Sequence, residues 1–309
     1  MSDPTPYDPR ARVESMDVLV ASVLAAIAQR GTAPELPTGL TTLDEAIWGL
    51  HRSELTVLAG RPGEGKTALA LQIAVHLADA GKRVLFLSLE MTREQITERM
   101  LVQLTQVDAW NLRRGQGLEE LRAKLQPLDG YFAALPLRLI DGTGYTAEQV
   151  RHVLQQMVEQ GGGVPDVLVV DFVQLASIEQ GQTPPQAIQE YMRALKEIAM
   201  RYRIAVLALS QLNRESTKAA KGRPRLEHLK GAGAIEELSD CAILCWWEQL
   251  GTEERPEGTK YWLLVEKQRN GPVGAQIPVR FLPEKLTFES VEPVVDPWQA
   301  TGGPVASAA

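Results

Sequence analysis

Short apolar runs alternate with amphipathic stretches through most of this chain. Leu55–Ala59, Val84–Leu89, Leu137–Ile140, Val167–Val170 and Ile204–Leu209 read as strands. Between them, residues 65–80, 94–126, 146–160 and 186–202 carry helical patterns, with a polar interruption around Arg113–Gly117. Near-continuous apolar runs separated by helices predict a parallel sheet buried on both faces. The pattern changes after residue 240. Cys241–Trp247, Lys260–Glu266, Ile277–Phe281 and Leu286–Phe288 read as strands with no helix between them, which predicts antiparallel or mixed pairing there. The three glycines 161–163 read as a helix-to-strand connection.

Residues 14–30 read as a helix. Met16, Leu19, Val20, Val23, Leu24 and Ile27 recur at steps of three and four and make one wide apolar face. Gly31 ends it, and Pro34 and Pro37 lead into a linker. Such a face must be buried, either on its own domain or on a neighbouring subunit; the pattern leaves both open. Residues 1–10, with three prolines, read as a loose tail, and the Pro-, Gly- and Ala-containing segment from Val291 on reads as a fraying end. The expected division is 1–35 for tail and linker helix, 36–290 for one α/β domain, and 291–309 for a flexible C-terminal tail.

Composition narrows the class. Of 309 residues, 44% are hydrophobic and 23% charged, as in a soluble globular protein. Lys+Arg is 32 against Asp+Glu 39, a formal charge of −7, which excludes coating nucleic acid by bulk charge but leaves room for a local basic channel. The run from Val18 to Ala28, interrupted by Ser22, is too short to span a bilayer. The first residues hold no basic n-region, so the expected location is cytoplasmic, with no membrane partner. Cys241 and Cys245 cannot build a disulfide framework or a four-ligand zinc site. Their even spacing in an apolar strand points both into one buried layer. His51, His76, His152 and His228 show no ligand spacing.

Gly60-Arg61-Pro62-Gly63-Glu64-Gly65-Lys66-Thr67 matches G-x-x-x-x-G-K-[ST], with a strand before it and a helix starting near Lys66 after it; residues Gly60 to Ala68 are the nucleotide-binding candidates. Triphosphate oxygens need several donors converging from a concave surface. Glycine-permitted backbone turns successive N–H groups inward, and the helix adds its positive end. Lys66 is placed to reach the β- and γ-phosphates and Thr67 to ligate Mg²⁺. Asp171 ends an apolar strand and is the second Mg²⁺ candidate; otherwise it caps the next element. Phe172 rather than Glu follows it, so a water-activating carboxylate must come from elsewhere. Glu90, at the end of the strand after the phosphate-loop helix, is the candidate general base, or else a helix-start Glu favoured by the dipole. Gln211 closes a strand and is placed to sense the γ-phosphate. Lys267 and Arg269 precede the Asn270-Gly271 turn, as plain surface cations or as fingers reaching an adjacent subunit's site. Between residues 214 and 230, Arg214, Lys218, Lys221, Arg223, Arg225 and Lys230 face two acids, Glu215 and Glu227. That is a solvated loop or a contact surface for a nucleic-acid backbone.

Together these residues resemble the C-terminal motor domain of DnaB-type replicative helicases, within the RecA-like ATPase superfamily. The resemblance covers roughly residues 36–290. It rests on Pro37-Thr38-Gly39 with Leu43-Asp44, on Gly60–Leu69, on Ser88-Leu89-Glu90-Met91, on residues 170–175, on Leu209–Arg214, on Gly233–Glu236 with Asp240, and on Lys267–Pro272. It implies a RecA-like core with a mostly parallel sheet and antiparallel C-terminal strands, and ring hexamers with ATP at subunit interfaces. It further implies that Lys66, Thr67 and Asp171 hold Mg²⁺ and ATP, that Glu90 activates water, that Gln211 senses the γ-phosphate, and that Lys267 and Arg269 act in trans. The loop after Asn213 would face single-stranded DNA, helix 14–30 would grip the next subunit, and movement would run 5′→3′. About 35 residues precede the motor, against a long primase-binding collar domain in that family, so primase binding is doubtful on this reading. Lys230-Gly231-Ala232-Gly233 stands where the family has Arg-Glu-Ser-Gly. Two other readings share these motifs: an ATP-switched recombination or remodelling factor that does not unwind processively, and a regulator that binds nucleotide but hydrolyses it poorly.

Overall fold

The structure, a computed structural model, describes residues 15–28, 31–175, 183–213, 223–229, 231–248 and 260–291. Its nine strands form one sheet: β1 Leu55–Gly60, β2 Val84–Ser88, β3 Leu137–Asp141, β4 Val167–Asp171, β5 Ala205–Gln211, β6 Cys241–Trp247, β7 Tyr261–Gln268, β8 Gln276–Leu282 and β9 Thr287–Ser290. The order across the sheet is β3-β2-β4-β5-β1-β6-β7-β8-β9. Strands β1 to β6 pair in parallel, and β7 to β9 continue antiparallel from β6. The sheet is therefore mixed after residue 240, with β6 on the parallel side.

Alternate side chains of each strand enter opposite layers. Val84, Phe86, Val169 and Leu207 pack with α3 (Lys66–Asp79) and α4 (Arg93–Thr105); Leu85, Leu87, Leu168 and Val206 pack with α8 (Ala147–Glu159) and α9 (Pro184–Tyr202). That is the two-faced burial expected of parallel strands. Cys241 and Cys245 both enter the α3 layer, where burial pushes their thiols up to about 12. Helix α9 begins two residues earlier than its pattern suggests, because Pro184 and Pro185 occupy a first turn that needs no N–H from them. The periodicity reading missed two seven-residue helices, α2 (Thr41–Ile47) and α10 (Ala232–Leu238). Neither is long enough to show two turns of apolar repeat. The stretch 94–126 breaks into α4, α5 (Ala109–Arg113) and α6 (Leu118–Leu125). A short α7 (Tyr131–Ala134) leads to β3.

Helix α1 (Met16–Ala28) does not fold back on the sheet. Met16, Val18, Leu19, Val20, Val23, Leu24 and Ile27 all stay exposed. Among the described residues no helix is long and apolar enough to cross a membrane. Leu24→Asp should therefore change the unfolding free energy of the isolated chain by no more than about 0.5 kcal/mol. Phe86→Ala, at a fully buried position, should cost about 3–5 kcal/mol. Urea titration of both variants checks this.

Candidate functional site

Strand β1 ends at Gly60 and α3 begins at Lys66, so residues 61–65 form a loop across the carboxyl end of the sheet. Gly65 has φ +79°, and a Cβ on it would lie 2.9 Å from Phe288 Cζ and 3.0 Å from Phe281 Cζ. Glycine is required there by conformation and by space. The Phe281 and Phe288 rings stack at 4.3 Å, and Tyr261 and Trp247 complete an aromatic cluster behind the loop. The Tyr261 hydroxyl donates to the Glu64 carbonyl. This prop was not foreseen: the strands carrying it are legible in sequence, but not which of their ends meets the loop.

Within the loop the Arg61 N–H donates to Glu64 Oε2 at 2.7 Å, and Lys66 Nζ donates to the Arg61 carbonyl at 3.1 Å. Both Glu64 and Lys66 are buried, which raises the carboxyl of the first and lowers the ammonium of the second. Glu64, read from sequence as one variable position of the motif, is an internal brace. Ala68 is buried in the first turn of α3, where its carbonyl accepts from Gln103 Nε2 at 2.8 Å.

Thr67 Oγ1 donates to Asp171 Oδ2 at 2.7 Å. The other oxygen, Asp171 Oδ1, is buried and accepts no hydrogen bond from the described residues. Burial first, and the nearby Glu90 charge second among the causes that raise it, push this carboxyl up to about 6. A hydroxyl beside a carboxylate with an unmet oxygen suits a hard cation that keeps several waters, so the residues fit Mg²⁺. Ser88 of β2 lies in register with Asp171, and the Leu89 N–H donates to the Asp171 carbonyl at 2.6 Å. The Ser88 hydroxyl donates to the Met91 carbonyl at 2.7 Å and turns the chain so that Glu90 stands exposed at the same edge. Arg99 of α4 was missed. It is half-buried, and Asp171 and Glu90 are the charges that most favour its ionised form against the cost of burial. Its sequence signal is its position about two turns beyond the Thr92 cap of α4.

Gln211 ends β5 in register with Gly60, so it reaches the same edge. Its N–H donates to Gln174 Oε1 at 3.1 Å, and Gln174 Nε2 donates to Ser210 Oγ at 2.7 Å. Just beyond, Leu212 bridges Leu229, and the Asn213 N–H donates to the His228 carbonyl at 2.7 Å. The return of the basic segment is thus pinned directly beside Gln211. Arg214, Lys218, Lys221 and Lys230 lie outside the described residues. Of the other two, Arg223 pairs with Glu266 at 3.4 Å and Arg225 is exposed.

Lys267 and Arg269 are not at this edge. Thr56 of β1 is in register with Cys241, and Cys241 with Gln268. The end of β7 therefore lies about 13 Å down the strand from Gly60, at roughly 3.3 Å per residue. No side chain from there can serve the same chain's phosphate loop. Nor are these cations loose on a turn tip. Lys267 Nζ donates to the Glu236 and Ser239 carbonyls, and an Arg269 guanidinium nitrogen donates to the Glu237 carbonyl at 2.9 Å.

A phosphate loop on a sheet of this order, with an acid at the end of β4, one strand removed from β1, defines a RecA-like P-loop nucleotide-binding domain. The chain belongs to the family described as DnaB-like helicase C terminal domain, whose model matches residues 35–290. It is 31% identical over 267 residues to the replicative DNA helicase DnaC of Bacillus subtilis, covering 85% of this chain and 58% of that one. It is 34% identical over 241 residues to the replicative DNA helicase DnaB of Pasteurella multocida, covering 77% and 51%. The chain thus spans between half and three fifths of these relatives. Among solved structures it superposes on an isolated ATPase domain with a TM-score of 0.83 at 25% identity, covering 91% of this chain and all of that one. A DnaB-like replicative helicase, solved in a study of its interactions with primase, superposes with a TM-score of 0.82 at 25% identity over 90% of this chain and 69% of that one.

The raised Asp171 carboxyl makes a signed prediction for the nucleotide-free protein. Its neutral form is favoured in the fold, so its contribution to stability is fully present below about pH 4 and is lost as pH rises through about 6. Asp171→Asn should stabilise the nucleotide-free chain by about 2–3 kcal/mol at pH 8 and have little effect at pH 4. Denaturant melts at the two pH values measure it.

Proposed function

We propose that this chain is an ATP-driven DNA motor of the replicative-helicase type, hydrolysing ATP in clefts shared between copies arranged as a ring, with six copies as the family resemblance implies. The observation that carries the reading is the separation of two edges. Phosphate loop, Asp171, Glu90 and Gln211 gather at one end of the sheet, while Lys267 and Arg269 stand at the other. A complete set of charges around a triphosphate then requires a second copy.

In this cleft the backbone of residues 60–68 and Lys66 bind the phosphates of ATP. Thr67 and Asp171 would hold Mg²⁺, which would supply neutralisation of phosphate charge when bound. Glu90 takes the proton of the attacking water. The neighbour's Lys267 and Arg269 meet charge developing in the transition state, a contribution of about 10³–10⁵ in rate where such fingers operate. Gln211 registers the γ-phosphate and passes its loss through Leu212 and Asn213 to the paired residues 228–229. The basic segment 214–230 meets the phosphate backbone of single-stranded DNA without reading bases, and each cycle shifts it 5′→3′. The exposed apolar face of α1 docks on the next copy and holds the ring together. We read residues 36–290 as the motor, 1–35 as tail and linker helix, 291–309 as a flexible tail, and the cytoplasm as its place of work. An ATP-switched remodelling factor would share the cleft but not the displacement of a paired strand.

On a forked substrate with ATP, wild-type protein should displace the annealed strand; ATP hydrolysis without displacement would favour the remodelling reading. Glu90→Gln should lower ATP turnover about 10²–10⁴-fold while fluorescent-nucleotide binding persists. Equal turnover by wild type and Glu90→Gln removes Glu90 from the mechanism.

A further inference from the structure

Asp240 stands between β1, α9 and the cationic end of β7, and it is 4% exposed. One of its oxygens, Oδ2, accepts from the Leu55 N–H at 2.7 Å and from Lys196 Nζ at 2.6 Å. The other, Oδ1, lies 3.4 Å from Arg269 Nη1. The Asp240 carbonyl accepts the Arg269 N–H at 2.8 Å. Lys267 and Arg269 fill the rest of the cradle by donating to the Glu236, Glu237 and Ser239 carbonyls. These carbonyls close α10, where a helix leaves its last acceptors without intrahelical donors and concentrates negative partial charge. One carboxylate thus fastens strand and helix with one oxygen and takes hold of Arg269 with the other.

We propose that Asp240, with the carboxyl end of α10, positions Lys267 and Arg269 for their action on the neighbouring copy's nucleotide. The proposal rests on the shared-cleft reading above. A guanidinium has five donors, so Arg269 keeps the Asp240 contact through one N–H and still offers others to a phosphate. A long cation without this anchor samples many rotamers, and a misplacement of about 1 Å at a reacting group costs on the order of 10²-fold in rate. Asp240 touches no nucleotide in this scheme; it acts through Arg269.

Asp240→Asn keeps an acceptor for the Leu55 N–H and removes the charge that holds Arg269. The assembled variant should lose roughly tenfold or more in kcat, with KM for ATP within about twofold of wild type, because its own phosphate loop is at the other edge. A structural role alone would raise KM and lower the melting temperature together. Neutralising both partners in Lys196→Met/Asp240→Asn leaves no buried charge unpaired, so the fold is retained. The kcat loss should persist in that double variant, and recovery to wild type there would reduce Asp240 to a partner for Lys196 and overturn the proposal.

Complementation locates the effect. Lys66→Ala subunits have a silent phosphate loop but intact cations, and Asp240→Asn subunits the reverse. Lys66→Ala alone should be nearly inactive and Asp240→Asn alone roughly tenfold impaired; mixing the two should raise ATP turnover above either alone. Lys66→Ala mixed with Arg269→Ala is the reference. If the reference pair recovers and the Asp240 pair does not, the positioning role falls and the shared cleft stands. If the reference pair does not recover, the shared cleft itself falls.

Discussion

Strand β1 is hydrogen-bonded on both sides, to β5 and to β6, and its two ends hold the phosphate loop and the anchor of the carboxylate beside Arg269. Gly60 at the top opens the phosphate loop; Leu55 at the bottom gives its N–H to Asp240. A strand fixed along both edges in the middle of a nine-stranded sheet cannot slide or tilt independently. The distance between loop and cations is therefore set by the length of one strand. Under the proposed function, that rigidity makes the division of the site between two copies a matter of geometry rather than of loop motion.

The two halves are charged in opposite ways. At the upper edge Asp171, Glu90 and Glu64 crowd around Lys66 and Arg99, and burial holds Glu64 and Asp171 above and Lys66 below their ordinary values. Such an arrangement is poised for a polyanion with its cation, since each arrival neutralises a charge the fold has removed from water. At the lower edge the cations are satisfied by helix-end carbonyls and one buried carboxylate. The aromatic cluster of Trp247, Tyr261, Phe281 and Phe288 fills the space under the phosphate loop. The antiparallel strands thus support the upper edge with their side chains while β7 carries the lower one.

Much of this was legible beforehand. The motif Gly60–Thr67 announces itself because close approach of backbone to phosphate demands glycines at fixed spacing, and the strand runs around it are uniformly apolar because both faces are covered. Glu90, Asp171 and Gln211 were readable because each terminates such a run, and parallel strands end at one edge. Arg99 was not, and Glu64 and Gln174, though they stand inside legible motifs, did not show the contacts they make, since each acts through a contact between elements far apart or within a turn whose shape the sequence does not give. Asp240 was visible as a motif position but carried no role, because its partners Leu55, Lys196 and Arg269 are scattered along the chain.

Local physics therefore determined the strands and longer helices, the phosphate loop and the class of its ligand: periodicity, glycine conformational freedom and charge are properties of neighbouring residues. Tertiary structure alone decided that α1 stays uncovered and that four aromatic rings brace the loop. It alone decided that Lys267 and Arg269 face away from the nucleotide edge of their own chain. Those facts depend on strand order and direction, and a one-dimensional pattern does not encode which end of one strand lies beside which end of another.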